Sequence, residues 1–148
     1  MSDLIIVDGD TVTFLPAFGL ATVTLPPALT TTISASAATT KVGTKAPCLE
    51  GDEKNVQLSG CSYIAGAYSV PGQCTLKIDK LNSDQVTQTT EIEGKKVILK
   101  GSTFKAVLEV SPGGGAQTTT TPPSPDMTPK YSGGSGSFVP SNSVVFAA

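Results

Sequence analysis

The chain of 148 residues has no histidine and no tryptophan. All ten of its basic residues are lysine. Without histidine there is no Ser–His or Cys–His pair to activate a nucleophile, and no standard zinc motif. Without arginine there is no planar fork to grip a phosphate, and the net charge of −2 supplies no basic field. Nucleic acid is therefore not an expected partner. Aromatic residues make up only 5% of the chain. So thin a core must be helped by backbone pairing, partner contact or a cross-link. No apolar stretch approaches the roughly 20 residues of a membrane-spanning helix. The start, Met1-Ser2-Asp3, is acidic, and Leu4-Ile5-Ile6-Val7 is too short for the apolar region of a signal peptide. Synthesis in the cytoplasm without a signal peptide is expected.

What is present favours strands. Threonine and valine are abundant, and their branched Cβ suits a pleated surface. The length fits one domain. Leu20 to Leu25, Val56-Gln57-Leu58 and Thr75 to Ile78 read as strands. Thr103 to Val110 is the clearest: Phe104, Ala106, Leu108 and Val110 face one way, with Thr103, Lys105, Val107 and Glu109 opposite. Residues 30–42 read as an edge strand or a loop. Asp79 to Gln88 offers the one place for a helical turn. The acid pairs of Asp8-Gly9-Asp10 and Gly51-Asp52-Glu53 invite a catalytic reading. Aspartate beside glycine is first of all turn chemistry. No enzyme activity is expected.

A pattern occurs twice. Thr44-Lys45-Ala46-Pro47-Cys48-Leu49-Glu50-Gly51-Asp52 aligns without gaps on Gly94-Lys95-Lys96-Val97-Ile98-Leu99-Lys100-Gly101-Ser102. Lys45 matches Lys95, Leu49 matches Leu99, and Gly51-Asp52 matches Gly101-Ser102. Each copy is a short apolar stretch with a basic head, closed by a turn. The repeat predicts a small β scaffold with internal pseudo-symmetry.

The first copy resembles the signature of PAAR-repeat proteins, in which a basic residue precedes an apolar core closed by Gly-Asp. Val7 to Phe14, Cys48 to Lys54, Pro71 to Ile78 and Val97 to Ser102 resemble, in that order, a PAAR-like group found with phage-tail-like contractile injection systems. The resemblance spans about residues 5–110. It implies a mostly β, cone-shaped domain with a pseudo-three-fold base. It also implies a structural role: one tip caps one trimeric spike and sharpens it, meeting a target membrane transiently, in a particle released from the cell. The runner-up is a surface-type β-sandwich binding module, an adhesin or carbohydrate binder with a Thr/Pro-rich linker.

Cys48, Cys61 and Cys74 are equally spaced. If each interval is one out-and-back excursion, the three sulfurs return to similar heights and could hold zinc or iron. PAAR-repeat proteins hold zinc with three histidines and one cysteine, a set this chain lacks. The other readings are three small buried hydrophobes, or a disulfide between two of them.

After Val110 the composition changes, dividing the chain into a β cone at 1–110 and a Gly/Thr/Pro-rich tail at 111–148. Gly113-Gly114-Gly115 predicts a flexible joint, and the prolines of 122–129 predict extended chain. Phe138, Val139, Val144, Val145 and Phe146 are too apolar for a solvated linker. The segment reads either as a disordered spacer or as one ordered only by docking on a spike, baseplate or cargo protein, with Ser143 to Phe146 adding to an exposed strand edge.

Overall fold

Alternation of apolar and polar residues organises the chain into strands, because period two puts every second side chain on one face. The computed structural model describes residues 3–37, 39–141 and 145–147. Its strands are β1 (Asp3–Leu4), β2 (Thr11–Phe14), β3 (Ala17–Phe18), β4 (Ala21–Leu25), β5 (Thr30–Thr32), β6 (Gln57–Ala65), β7 (Tyr68–Lys80), β8 (Val86–Ile92), β9 (Lys95–Ile98), β10 (Phe104–Val110), β11 (Lys130–Val139) and β12 (Phe146–Ala147). Two 3-10 turns, Asp52–Asn55 and Ser83–Gln85, are the helical elements among the described residues. The second lies within the stretch Asp79–Gln88, where the sequence left room for one.

The main sheet runs β3-β4-β6-β7-β10-β11-β2-β5, and every neighbouring pair is antiparallel. It is a curled half-barrel rather than two packed sheets, so the sandwich alternative is not the fold. Closure comes from β2 and β3, which form one strand broken at Leu15-Pro16. Leu15 N–H donates to Ser135 O at 2.9 Å, and Pro16 O accepts from Val23 N–H at 2.9 Å. Phe18 lies so close to Gly134 that any side chain there would strike the ring. Phe104 stands at the centre of the core, edge-on to Phe14 at 5.6 Å and tilted against Phe138 at 5.2 Å.

The expected free tail is corrected by the sheet. β11 inserts between β10 and β2, and Phe138 is 1% exposed in the main core. A strand that supplies both neighbours with hydrogen bonds and a core phenylalanine belongs to the barrel. The Gly-rich stretch is no loose joint. Gly114 O accepts from Gln73 N–H at 2.7 Å, and Gln117 exchanges backbone hydrogen bonds with Val70 at 2.9 and 3.0 Å. Asp126, buried, clamps the prolines: its Oδ2 accepts from Tyr63 Oη at 2.8 Å and Tyr131 Oη at 2.7 Å, and its Oδ1 from Thr128 N–H at 2.9 Å. Tyr63 Oη in turn accepts from Ala116 N–H at 3.1 Å. The composition suggested loose chain because its polar bonds run to residues distant in sequence.

Two apolar clusters divide the interior. The larger fills the half-barrel and includes Phe14, Phe18, Tyr63, Leu76, Phe104, Leu108 and Phe138. The smaller consists of Ile5, Val7, Leu49, Val97 and Leu99, with Ala37, Val42, Ile92, Val145 and Ala147 packed on it. The step from a large core to a small one gives a cone-like taper along the barrel axis.

Candidate functional site

The two clusters are separated by a plate made from three pieces of chain. They are Leu4-Ile5-Ile6-Val7-Asp8-Gly9-Asp10, Ala46-Pro47-Cys48-Leu49-Glu50-Gly51-Asp52 and Lys96-Val97-Ile98-Leu99-Lys100-Gly101-Ser102. Each pairs its first half with one of the others and its second half with the third. The antiparallel bridges are Ile5 with Leu99, Val7 with Pro47, and Leu49 with Val97.

The hydrogen bonds are cyclic. Ile6 N–H donates to Ile98 O (3.0 Å), Ile98 N–H to Cys48 O (2.9 Å), and Cys48 N–H to Ile6 O (2.8 Å). An outer circuit repeats the rule. Asp8 N–H donates to Ala46 O (2.8 Å), Glu50 N–H to Lys96 O (2.8 Å), and Lys100 N–H to Leu4 O (2.9 Å). One chain thus carries an internal three-fold axis.

Each piece ends at a positive-φ glycine, and the first two close in the same turn, Asp10 N–H donating to Val7 O at 3.1 Å and Asp52 N–H to Leu49 O at 2.9 Å. Gly9, Gly51 and Gly101 have φ of 84°, 106° and 53°, the left-handed region that glycine enters without steric cost. Asp10 Oδ2 accepts from Val7 N–H, and Asp52 Oδ2 from Leu49 N–H, both at 2.8 Å. These acids serve the turns, as aspartate beside glycine commonly does. Ser102 is too short to repeat the contact, and Leu99 N–H donates instead to Gln85 O at 2.8 Å. Asp10 Oδ1 also takes Ser141 N–H at 3.0 Å and Ser141 Oγ at 2.7 Å, tying the segment after β11 to the plate.

The predicted repeat residues Leu49, Gly51 and Asp52, and Leu99, Gly101 and Ser102, occupy equivalent places in two of the three pieces. Lys45 and Lys95 sit exposed just before them. The sequence reading missed the first piece as a repeat. The signal was available, since Val7-Asp8-Gly9-Asp10 matches Leu49-Glu50-Gly51-Asp52 in kind at every position.

Alternation assigns the side chains of the plate. Ile6, Cys48 and Ile98 join the larger core, and all are fully buried. Ile5, Val7, Leu49, Val97 and Leu99, next to them in sequence, face the smaller cluster. Cys48 is therefore the counterpart of two isoleucines, placed as a small hydrophobe. Burial, and then the charges of Asp52, Asp10 and Asp8, push its thiol far above the usual range. Cys61 and Cys74 face each other across β6 and β7. Burial, followed by the Cys61 thiol, pushes Cys74 up to about 12.

All three cysteines are free and buried. The equal spacing brings two together and leaves the third on the plate, because the Cys48–Cys61 interval holds a 3-10 turn and the start of β6, not a full excursion. Among the described residues no three His, Cys, Asp or Glu side chains are grouped to hold a metal. Thiols pushed upward also resist the deprotonation that a zinc or iron ligand requires. The residues do not fit a zinc or iron centre.

The tail residues divide likewise. Phe138 is in the core and Val139, its neighbour, is 53% exposed. Val145 packs on the smaller cluster, its O accepting from Ile5 N–H at 3.2 Å, and Phe146 pairs with Leu4 while staying largely exposed. Val144 lies outside the described residues. A cleft of about 560 Å³ beside the plate is lined by Glu50, Glu53, Lys54, Lys80, Lys96 and Lys105 among others, a mixed-charge wall with no nucleophile–base pair.

The single chain thus folds as a tapering β half-barrel closed by a plate of three equivalent segments. The chain matches the family of contractile injection system spike tip proteins over residues 1–148, and it belongs to that family. No curated protein matches it.

Proposed function

We propose that one copy of this protein caps the end of a trimeric spike and narrows it to a point, so that the injection stroke falls on a small area of target membrane. The observation that supports this is the cyclic plate, in which three segments of one chain take equivalent places about an axis. A trimer ends in three equivalent strand edges, and unpaired edges need a cover. A monomer with three-fold symmetry can meet all three at once, by backbone pairing and apolar contact. The stoichiometry is then one tip to three spike chains. Synthesis in the cytoplasm and departure with the particle belong to the same reading. A cargo or baseplate contact through the C-terminal segment would fall to Val139 and Phe146, since Phe138 and Val145 are engaged within the chain. The experiment is co-expression with the spike protein of the same particle, followed by native mass measurement. A three-to-one complex is expected. Two proteins that stay separate, or three tips per trimer, would sink the proposal.

A further inference from the structure

The three-fold order of the plate continues into the chain that leads to it. Ile6, Cys48 and Ile98 are equivalent on the ring, so Asp3, Lys45 and Lys95, each at the same offset before them, are equivalent as well. Each has an antiparallel partner: Ala147 for Asp3, Val42 for Lys45 and Ile92 for Lys95. All three partners are half-buried and packed on the smaller cluster. A two-stranded arm therefore precedes each piece of the plate. The exposure of two arms repeats in step, since residues 41–45 and 91–95 are exposed everywhere except at Val42 and Ile92. The lead into each arm is tied to the end of its own piece. Ser141 N–H donates to Asp10 Oδ1 at 3.0 Å, Ser36 N–H to Asp52 Oδ2 at 3.1 Å, and Ser102 N–H to Asp84 Oδ2 at 3.0 Å.

Each arm has one edge in use. Val42 exchanges backbone hydrogen bonds with Lys45 at 2.7 and 3.3 Å, and Val145 O accepts from Ile5 N–H at 3.2 Å. Backbone groups of successive strand residues point to opposite sides. Those of Lys41, Glu91 and Phe146, each just before Val42, Ile92 and Ala147, point away from their arms. The side chains of all three are exposed. Among the described residues β8 pairs with β9 alone and β12 with β1 alone, and no backbone bond of Lys41 crosses to another strand. The smaller cluster does not make this end a point, because the arms and Ala37 pack round it.

From these features we infer that the outer edges of the three arms, at Lys41, Glu91 and Phe146, are where the spike attaches, one strand of each spike chain adding to each arm. This rests on the capping reading above. Three open edges in equivalent places about one axis fit a partner that ends in three identical strands. The main sheet has two outer strands, β3 and β5, and so offers no set of three. The chemistry of recognition follows. The equivalent positions hold a cation, an anion and a phenyl ring, whereas the three spike chains present the same residue to each. No single side chain complements all three, so the backbone carries the contact, and an uncharged spike residue is the one that repels none of them. Phe146 then meets the spike, which leaves Val139 for a cargo contact.

The test is backbone amide hydrogen exchange of the full chain, alone and with the trimeric spike of the same particle. The amides of Lys41, Glu91 and Phe146 should exchange readily in the free chain and slow at least about tenfold in the complex. Lys41→Pro and Glu91→Pro each remove one outward donor at an edge position, where proline is tolerated. Each should weaken binding about tenfold through the lost backbone hydrogen bond. Lys41→Ala and Glu91→Ala keep the backbone and should bind within about threefold of the unaltered chain. Where a proline variant fails to fold, exchange in the unaltered chain still decides. Slowing confined to the half-barrel overturns the inference, as does full binding by folded proline variants, while both leave the capping reading in place. Alanine variants that bind as weakly as the proline ones overturn it too, because side chains then carry the contact. Slow exchange at the three amides in a free chain that sediments as a dimer assigns the edges to a second copy and likewise overturns it. Failure of the unaltered chain to bind any spike defeats the capping reading and this one with it.

Discussion

Replacing Phe138 by alanine tests whether the C-terminal segment is part of the barrel. The ring is fully buried between β10 and β2, 5.2 Å from Phe104. Its removal costs the transfer energy of the ring and leaves a cavity, together about 4 kcal/mol for such a substitution. Loss of the tilted contact with Phe104 adds roughly 0.5–1 kcal/mol. Thermal midpoints of chains this size shift by about 3 °C per kcal/mol, so a fall of roughly 12–15 °C is expected. Val139→Ala, one residue on and facing solvent, should shift the midpoint by under about 2 °C, because exposed substitutions stay within about 0.5 kcal/mol. Differential scanning calorimetry with circular dichroism would measure both. Equal midpoints for Phe138→Ala and the unaltered chain would refute the placement of β11 and restore the picture of a detachable tail.

Gly101→Ala should destabilise by about 2–4 kcal/mol, more than Gly9→Ala at about 1–2, because both force a side chain into positive φ but only Gly101 also meets Gln85 and Asp84; urea midpoints rank them, and equal losses would contradict the packing. Cys48→Val should be tolerated within about 1.5 kcal/mol, whereas Cys48→Ser should lose about 1–3 by burying a hydroxyl on the apolar face of the plate; if both fell alike and bound metal disappeared from the purified protein, Cys48 would be a ligand. Burial pushes the Asp126 carboxyl up, but hydrogen bonds from Tyr131, Thr128 and Tyr63 outweigh it and hold the group below its ordinary value near 3.8. A depressed carboxylate contributes stability above that unfolded value and loses it as pH falls through the folded one. Chemical denaturation between pH 7 and pH 2.5 should therefore show a steeper acid loss for the unaltered chain than for Asp126→Asn, and parallel curves would sink the assignment.

The sequence disclosed local features and hid those set by distant pairing. The alternation of 104–110 is the observed β10, with Phe104, Ala106 and Leu108 buried as read. The Gly51-Asp52 closure is a turn of the plate, whereas Gly101-Ser102 keeps the positive-φ glycine but makes no such turn, Ser102 N–H donating to Asp84 instead. Val107 is also buried, which period two alone does not foresee, since both faces of β10 are covered over part of its length. β11 was unreadable for a physical reason. Lys130-Tyr131-Ser132-Gly133-Gly134-Ser135-Gly136-Ser137 has the composition of a linker, yet its glycines are there because Phe18 and Phe104 press against the backbone at Gly134 and Gly136. Small residues that admit a neighbour's ring look, in sequence, like small residues that confer slack. The cysteine spacing misled in the opposite way, because regular intervals in a barrel with register shifts do not return the chain to one height.

The plate also governs when the protein can fold. Its three pieces lie at 4–10, 46–52 and 96–102, and each needs both of the others to complete its hydrogen bonds. β2, formed early in the chain, receives its main partner only when residues 136–139 arrive, and β1 pairs with Phe146 and Ala147. Contacts of such sequence separation close slowly, since loop entropy must be lost before any contact repays it. The nascent chain on the ribosome therefore has its first strands waiting with open edges until β11 has emerged. A spike tip of this topology is therefore completed late, when the two ends of its chain meet.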